Sequence, residues 1–324
     1  SDFHSFYGEG EGVHWFPAEV GQGAGWNHPL KLRILNSRFS DCSRRSIKSQ
    51  TSGLQIDGCT FEKIDSKSPH AKKATVNVGL TIASANGIDQ YCINSYVKNS
   101  RFTMVQGETG WRAWHLALTA VRGAEVSGNT FEGPFIGMAA VALDSNAEDN
   151  RIFNNTFTDI CAVTGYTQSP GTYKINLVYD NTITATIDRG SRHFSAFGQP
   201  LVIMGPPRPA SFRRFHIYNN DITLTFNSAS TRAHVLGTDP ERDMWDGHIF
   251  DSIILDGNRI TYRGPHAPDK KVLDIGGDFG RTNAFINHNP AVGVTASGAL
   301  KVDGIQTFTA KNNANGSGEE LTKE

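Results

Sequence analysis

Short stretches of alternating apolar and polar residues recur along the chain: LKLRI, LQID, AEVS, RIF, INLVY, FHIY and SIILD. A period of two marks a strand with one buried face. Each is followed by a turn pair drawn from Asn, Gly, Asp, Ser and Cys, then one polar residue, then Phe or Ile. The apolar anchors of this motif are Phe39, Phe61, Phe102, Phe131, Phe157, Ile183, Ile222 and Ile260. The gaps between them are 22, 41, 29, 26, 26, 39 and 38 residues, so the length varies while the motif keeps one grammar.

Asn and Gly tolerate the left-handed backbone of a sharp bend, so each motif reads as a corner between two strands. Asn129, Asn155, Asn181, Asn220 and Asn258 hold the same slot in five copies. Stacked, they would form a ladder of side-chain amide hydrogen bonds. Separate hairpins with Asn turns would not keep one phase over eight units. A connection of varying length and another short strand follow the motif: residues 45–50, 78–83, 114–120, 138–144, 200–205, 233–238 and 271–277. About three strands and three bends per repeat predict an all-β fold, a parallel β-helix. Nine rungs at about 4.8 Å each make a rod of roughly 40 Å.

This repeat resembles the right-handed parallel β-helix of the pectate lyase-like superfamily over about residues 30–310. Lyases, hydrolases, epimerases and phage tailspikes share that fold, so the resemblance bears on fold more than on activity. It implies that the Asn ladder lies at the bend between the second and third sheets. The strand after the next turn would belong to the first sheet, along which the substrate sites lie. The expected organisation is a flanking or capping segment at 1–29, the β-helix at 30–309 and a polar tail at 310–324.

The chain has 324 residues, 38% of them hydrophobic and 19% charged, which suits neither a disordered chain nor a helix-rich one. The 31 basic and 32 acidic residues leave a formal net charge of -1, without the basic field that nucleic acid requires. The longest apolar runs, such as residues 138–143, fall far short of the roughly 20 residues that span a bilayer, so no membrane insertion is expected. The first twelve residues lack the charged-then-apolar order of a signal peptide. Cys42, Cys59, Cys92 and Cys161 show no metal spacing and read as small buried hydrophobes. Walker, GxSxG and HExxH motifs are absent from the sequence.

Strict alternation in the first-sheet strands turns Ile47, Leu80, Ile82, Leu116, Leu118, Val141 and Leu143 inward. It turns Ser46, Lys48, Thr81, His115, Ala117, Thr119, Ala142 and Asp144 outward. That places an amine, an imidazole and a carboxylate on one stripe about 15 Å long, enough for several sugar residues. The densest cluster is Trp111, Arg112, Trp114 and His115. Indole faces stack on sugars, guanidinium pairs with carboxylates, and imidazole exchanges protons near neutrality. Arg45 and Lys48 would attract an acidic chain. The segment around Lys48 also resembles the one holding the basic lysine of alginate and chondroitin lyases of this fold, although the arginine–histidine–glycine run of those enzymes is absent. Asp239, Glu241, Asp243 and Asp246 form an alternative acidic group for glycoside hydrolysis. Arg192 and His193 could wall a groove. No cofactor is certain. Ca²⁺ suits the carboxylates of 239–246 chemically, without a DxDxDG spacing to support it.

The function expected is cleavage of an acidic polysaccharide by β-elimination, with Arg112 or Arg45 neutralising the uronate and His115 or Lys48 taking the C5 proton. A glycoside hydrolase using Asp144 or the 239–246 carboxylates is the runner-up. A non-catalytic carbohydrate-binding or structural rod is the third reading. Resemblance to phage tailspike depolymerases implies a homotrimer and an extracellular or virion-borne setting.

Overall fold

The computed structural model describes residues 1–4, 11–15, 31–42, 45–64, 74–79, 92–105, 113–133, 138–144, 147–165, 175–187, 201–202, 214–227, 236–237, 252–265, 271–276, 282–287, 291–292, 299–302, 305–311 and 322–323. Among them every regular element is a strand, and the strands pair in parallel. The chain is therefore all-β with long parallel sheets, as expected.

Two sheets have ten strands each. The second sheet contains the strands before the motif, from Arg33–Leu35 through Tyr96–Lys98, Arg151–Phe153 and Arg214–Tyr218 to Ile305–Lys311. The third contains the strands that begin at the motif, including Thr60–Ile64, Arg101–Val105, Thr130–Glu132, Thr156–Thr158, Thr182–Ile187, Asp221–Phe226 and Arg259–Arg263. The first sheet has six strands: Glu11–Trp15, Arg45–Ser49, Val76–Gly79, Ala113–Thr119, Met138–Asp144 and Cys161–Gly165. A five-stranded sheet holds Leu201–Val202, Leu236–Gly237 and Lys271–Gly276 with two further strands. Residues of the first three sheets share one hydrophobic core.

The corners explain why the motif has its composition. Asn36, Gly58, Asn99, Gly128, Asn154, Asp180, Asn219 and Gly257 are the first turn residue of the eight copies, and every one has positive φ. Asn and Asp bear this conformation better than other side chains, and Gly bears it freely. The next position carries the ladder. Asn129 Nδ2 donates to Asn155 Oδ1 at 3.0 Å, Asn155 to Asn181 at 3.1 Å, Asn181 to Asn220 at 2.9 Å and Asn220 to Asn258 at 2.8 Å. Each receiving oxygen also accepts the backbone N–H of the donor residue. Earlier copies continue the column with shorter groups, since Ser100 N donates to Asn129 Oδ1 and Cys59 N to Ser100 Oγ. The buried amides are thus satisfied through the stack, as buried polar groups must be.

The anchors stack one strand further on. Phe3, Phe39, Phe61, Phe102, Phe131 and Phe157 form a continuous column with centroids 4.6, 5.1, 4.7, 4.8 and 5.2 Å apart. Ile183, Ile222 and Ile260 continue it in register. Burying one such side chain is worth about 1.5–3 kcal/mol. Each ring contact adds about 0.5–1.5 kcal/mol, so burial is the larger effect.

Some strands do not follow the sequence reading. Val76–Gly79 begins two residues before the expected 78–83 strand, with Val76 and Val78 in the core. Cys161–Gly165 adds a first-sheet strand that had not been read. A second ladder joins Asn150 Nδ2 to Asn176 Oδ1 at 3.2 Å. Parallel pairing also begins within residues 1–29, where Asp2–His4 lies beside Arg38–Cys42 and Glu11–Trp15 beside Arg45–Ser49. The four cysteines are buried and unpaired with one another, as expected. Burial pushes the Cys92 thiol up to about 12.

Candidate functional site

The first sheet was expected to carry the site, and its registers are unambiguous. Lys48 pairs with Asn77, Asn77 with Ala117 and Ala117 with Ala142. Two residues further along, Thr119 pairs with Asp144. Lys48 is half-buried. Lys48 shares its register with Ala117, which lies in a small cluster apart from the main core, so Lys48 points away from the core. The strand Met138–Asp144 lies three strand spacings or about 14 Å from the Lys48 strand, and the side chain of Asp144 lies outside the described residues.

Between them the face is not an open track. Ala74, Ala117 and Ala142 form a small buried cluster separate from the main core, and the half-buried Trp114 packs on it. The alanine methyls leave room for the indole, which therefore roofs the sheet. Arg45, at the start of its strand, is buried at 9% exposure.

His115 does not face outward. It is fully buried, and its ring lies 5.7 Å from Phe102 and 6.1 Å from Phe131, inside the anchor column. The reason is a local break in alternation. The register pairs Trp114 with Ala139 and Leu116 with Val141 but skips His115 and Ala140. Across that break two consecutive residues, His115 and Leu116, both reach the core, while Trp114 and Ala117 meet outside it. Ser46 was expected outward as well. It is fully buried, one position before the Ile47–Val76 pair.

The buried imidazole is chemically committed. Its Nε2 lies 3.0 Å from the carbonyl oxygen of Glu132. A carbonyl only accepts, so Nε2 carries the proton. Burial is the largest cause that lowers its pKa to about 4, and the Lys63 charge lowers it further against the opposing backbone bond. His115 is therefore neutral at pH 7, and no solvent-exposed base stands at this position.

Lys63 had not been singled out. It is fully buried in Thr60–Ile64, two residues after the anchor Phe61 and thus on the inward parity of its strand. That parity was the available clue, since a charged residue at an inward position is rare without a partner.

Trp111, Arg112, Arg192, His193, Asp239, Glu241, Asp243, Asp246 and Thr81 lie outside the described residues. Among the described residues, no group of three or more His, Cys, Asp or Glu side chains is placed to hold a metal ion. Compared with known proteins, the chain matches no family model, no curated protein and no solved structure.

Proposed function

We propose that the chain is a right-handed parallel β-helix of the pectate lyase-like kind, with about nine layers, that cleaves an acidic polysaccharide along the outer face of its first sheet. The observation that supports this reading is the half-buried Lys48, in register with Ala117 and Ala142, which lie outside the main core. An amine there attracts a uronate chain and can act as base if its surroundings depress its pKa. In the proposed β-elimination Lys48 takes the C5 proton, the electron pair forms the C4–C5 double bond, and the C4–O bond breaks. A proton donor supplies the leaving oxygen. Arg112 neutralises the uronate carboxylate. His115 is not the base in this mechanism, because it is buried, neutral and bonded to the Glu132 carbonyl. By the tailspike resemblance, the setting is extracellular or virion-borne and the assembly a homotrimer.

The test is Lys48→Ala on a panel of uronate-containing polysaccharides, reading both the unsaturated-end chromophore and reducing ends. A base supplies about 10²–10⁴-fold in rate, so chromophore formation should fall by that factor while binding persists. An unchanged rate rejects Lys48. Reducing ends without chromophore in the unaltered protein reject the lyase for a hydrolase, and binding without turnover rejects an enzyme altogether.

A further inference from the structure

The core contains a polar column that the proposed function does not use. Ser46 stands beside Thr75, one position before the Ile47–Val76 pair, and Thr75 stands beside His115, one position before the Val76–Leu116 pair. Thr75 O accepts from Ser46 N at 2.8 Å, and Thr75 N donates to Trp114 O at 3.0 Å. The three side chains are 0%, 1% and 0% exposed. Among the described residues, Ser46 Oγ, Thr75 Oγ1 and His115 Nδ1 each find no hydrogen-bond partner. In the next two layers the same column holds Ala140 and Ala162, both fully buried core residues. The column is therefore polar for three layers and then dry.

Three orphaned polar atoms in successive layers are costly unless something pairs them. Neighbouring strands are about 4.8 Å apart, and in this column the hydroxyls make no direct bond of the kind that joins Thr184 Oγ1 to Thr158 Oγ1 at 3.5 Å on the third sheet. The asparagine ladder closes that gap because an amide is long enough and carries both donor and acceptor. A hydroxyl is shorter and has a single donor, and the hydroxyls of Ser46 and Thr75 stay unpaired. A water molecule with two bonds of about 2.8 Å at a near-tetrahedral angle spans about 4.6 Å, which matches the layer spacing.

We propose that this column is an internal water site, with one molecule bridging Ser46 Oγ to Thr75 Oγ1 and a second bridging Thr75 Oγ1 to His115 Nδ1. The protonated Nε2 fixes the direction of the file. The second water donates to Nδ1 and accepts from Thr75, and Thr75 accepts from the first. An anion does not fit, because the Nδ1 lone pair would repel it. A metal cation does not fit beside the Lys63 ammonium, whose charge acts on the imidazole. The file ends at His115 because its other nitrogen is spent on Glu132 and the next layer offers only a methyl group.

The experiment counts long-lived internal waters by magnetic relaxation dispersion and locates them in a high-resolution crystal structure. The full chain is compared with Thr75→Val, which keeps the shape and removes the hydroxyl. The expected result is two ordered waters in the column and the loss of both bridges in the variant. The ¹⁵N resonance of His115 Nδ1 should move toward that of an unbonded imidazole nitrogen. Should Thr75→Val fail to fold, Ser46→Ala is expected to lose one water and leave the His115 resonance in place. An empty column in a well-ordered map overturns the proposal. An unchanged water count in whichever variant folds does so as well.

Discussion

His115 makes the stability of this protein depend on pH in a way that can be isolated. In the unfolded chain an imidazole titrates near 6.5, whereas in the folded chain burial holds it near 4. As pH falls through 6.5 the unfolded state binds a proton that the folded state refuses. Stability is therefore complete above 6.5, declines between 6.5 and about 4, and levels off below that. Each pH unit of the shift is worth about 1.36 kcal/mol, so the full window costs about 3 kcal/mol from this one group. The perturbation is His115→Ala, a residue the same column already accepts at Ala140 and Ala162. The variant should be less stable at pH 7 because it leaves a cavity beside Phe102 and Phe131. Its stability should nevertheless fall less on acidification. The assay is urea unfolding of both proteins at several pH values from 7 to about 4, with m-values checked for constancy. Subtracting the variant from the parent cancels the carboxylates and the other histidines. A difference that stays flat over the window would refute the argument that His115 is buried and neutral.

Other perturbations probe the frame itself. Asn181→Ala removes an amide that bonds Asn220 Oδ1 and Ile152 O and accepts from Asn155, so a loss of about 2–4 kcal/mol in denaturant unfolding is expected. Phe131→Ala empties the middle of the ring column and should cost about 3–5 kcal/mol by the same measurement. Gly128→Ala places a Cβ 2.7 Å from Asn99 Oδ1 at a φ of +66°, so a lowered thermal midpoint is expected, whereas Gly123→Ala, with open space around its Cβ, should be milder. Cys92, with its thiol pushed up to about 12, should resist a thiol reagent until the chain is unfolded.

The corners, anchors and asparagine ladder were legible because each depends on local chemistry. A bend needs a residue that tolerates positive φ, and Asn36, Gly58, Asn99 and their counterparts declare it. An inward anchor needs an apolar side chain, and the run from Phe39 to Ile260 declares that. Once the repeat is recognised, stacking follows, because every copy has the same phase. Asn150 and Asn176 stand five residues before Asn155 and Asn181, a spacing that pointed to the second ladder but was lost among ordinary polar residues.

The candidate site was legible only as far as alternation holds. Lys48 keeps its outward place, in register with Ala117 of the cluster outside the main core. His115 and Ser46 do not follow the alternation, and no propensity in WHLALT or RSIKS announces it. Two consecutive core residues recur in the neighbouring strands, at Ala140–Val141 and Ala162–Val163, so only assembled sheets could decide which side of the backbone the imidazole takes. Likewise, Trp114 is an exposed platform or a roof according to what lies beneath it, and Ala74, Ala117 and Ala142 come together only through strand register. The order of residues thus determined the strands, the bends and their phase. The packing of one layer on the next determined which side chains are free to meet a ligand, because burial belongs to neighbours distant in the chain.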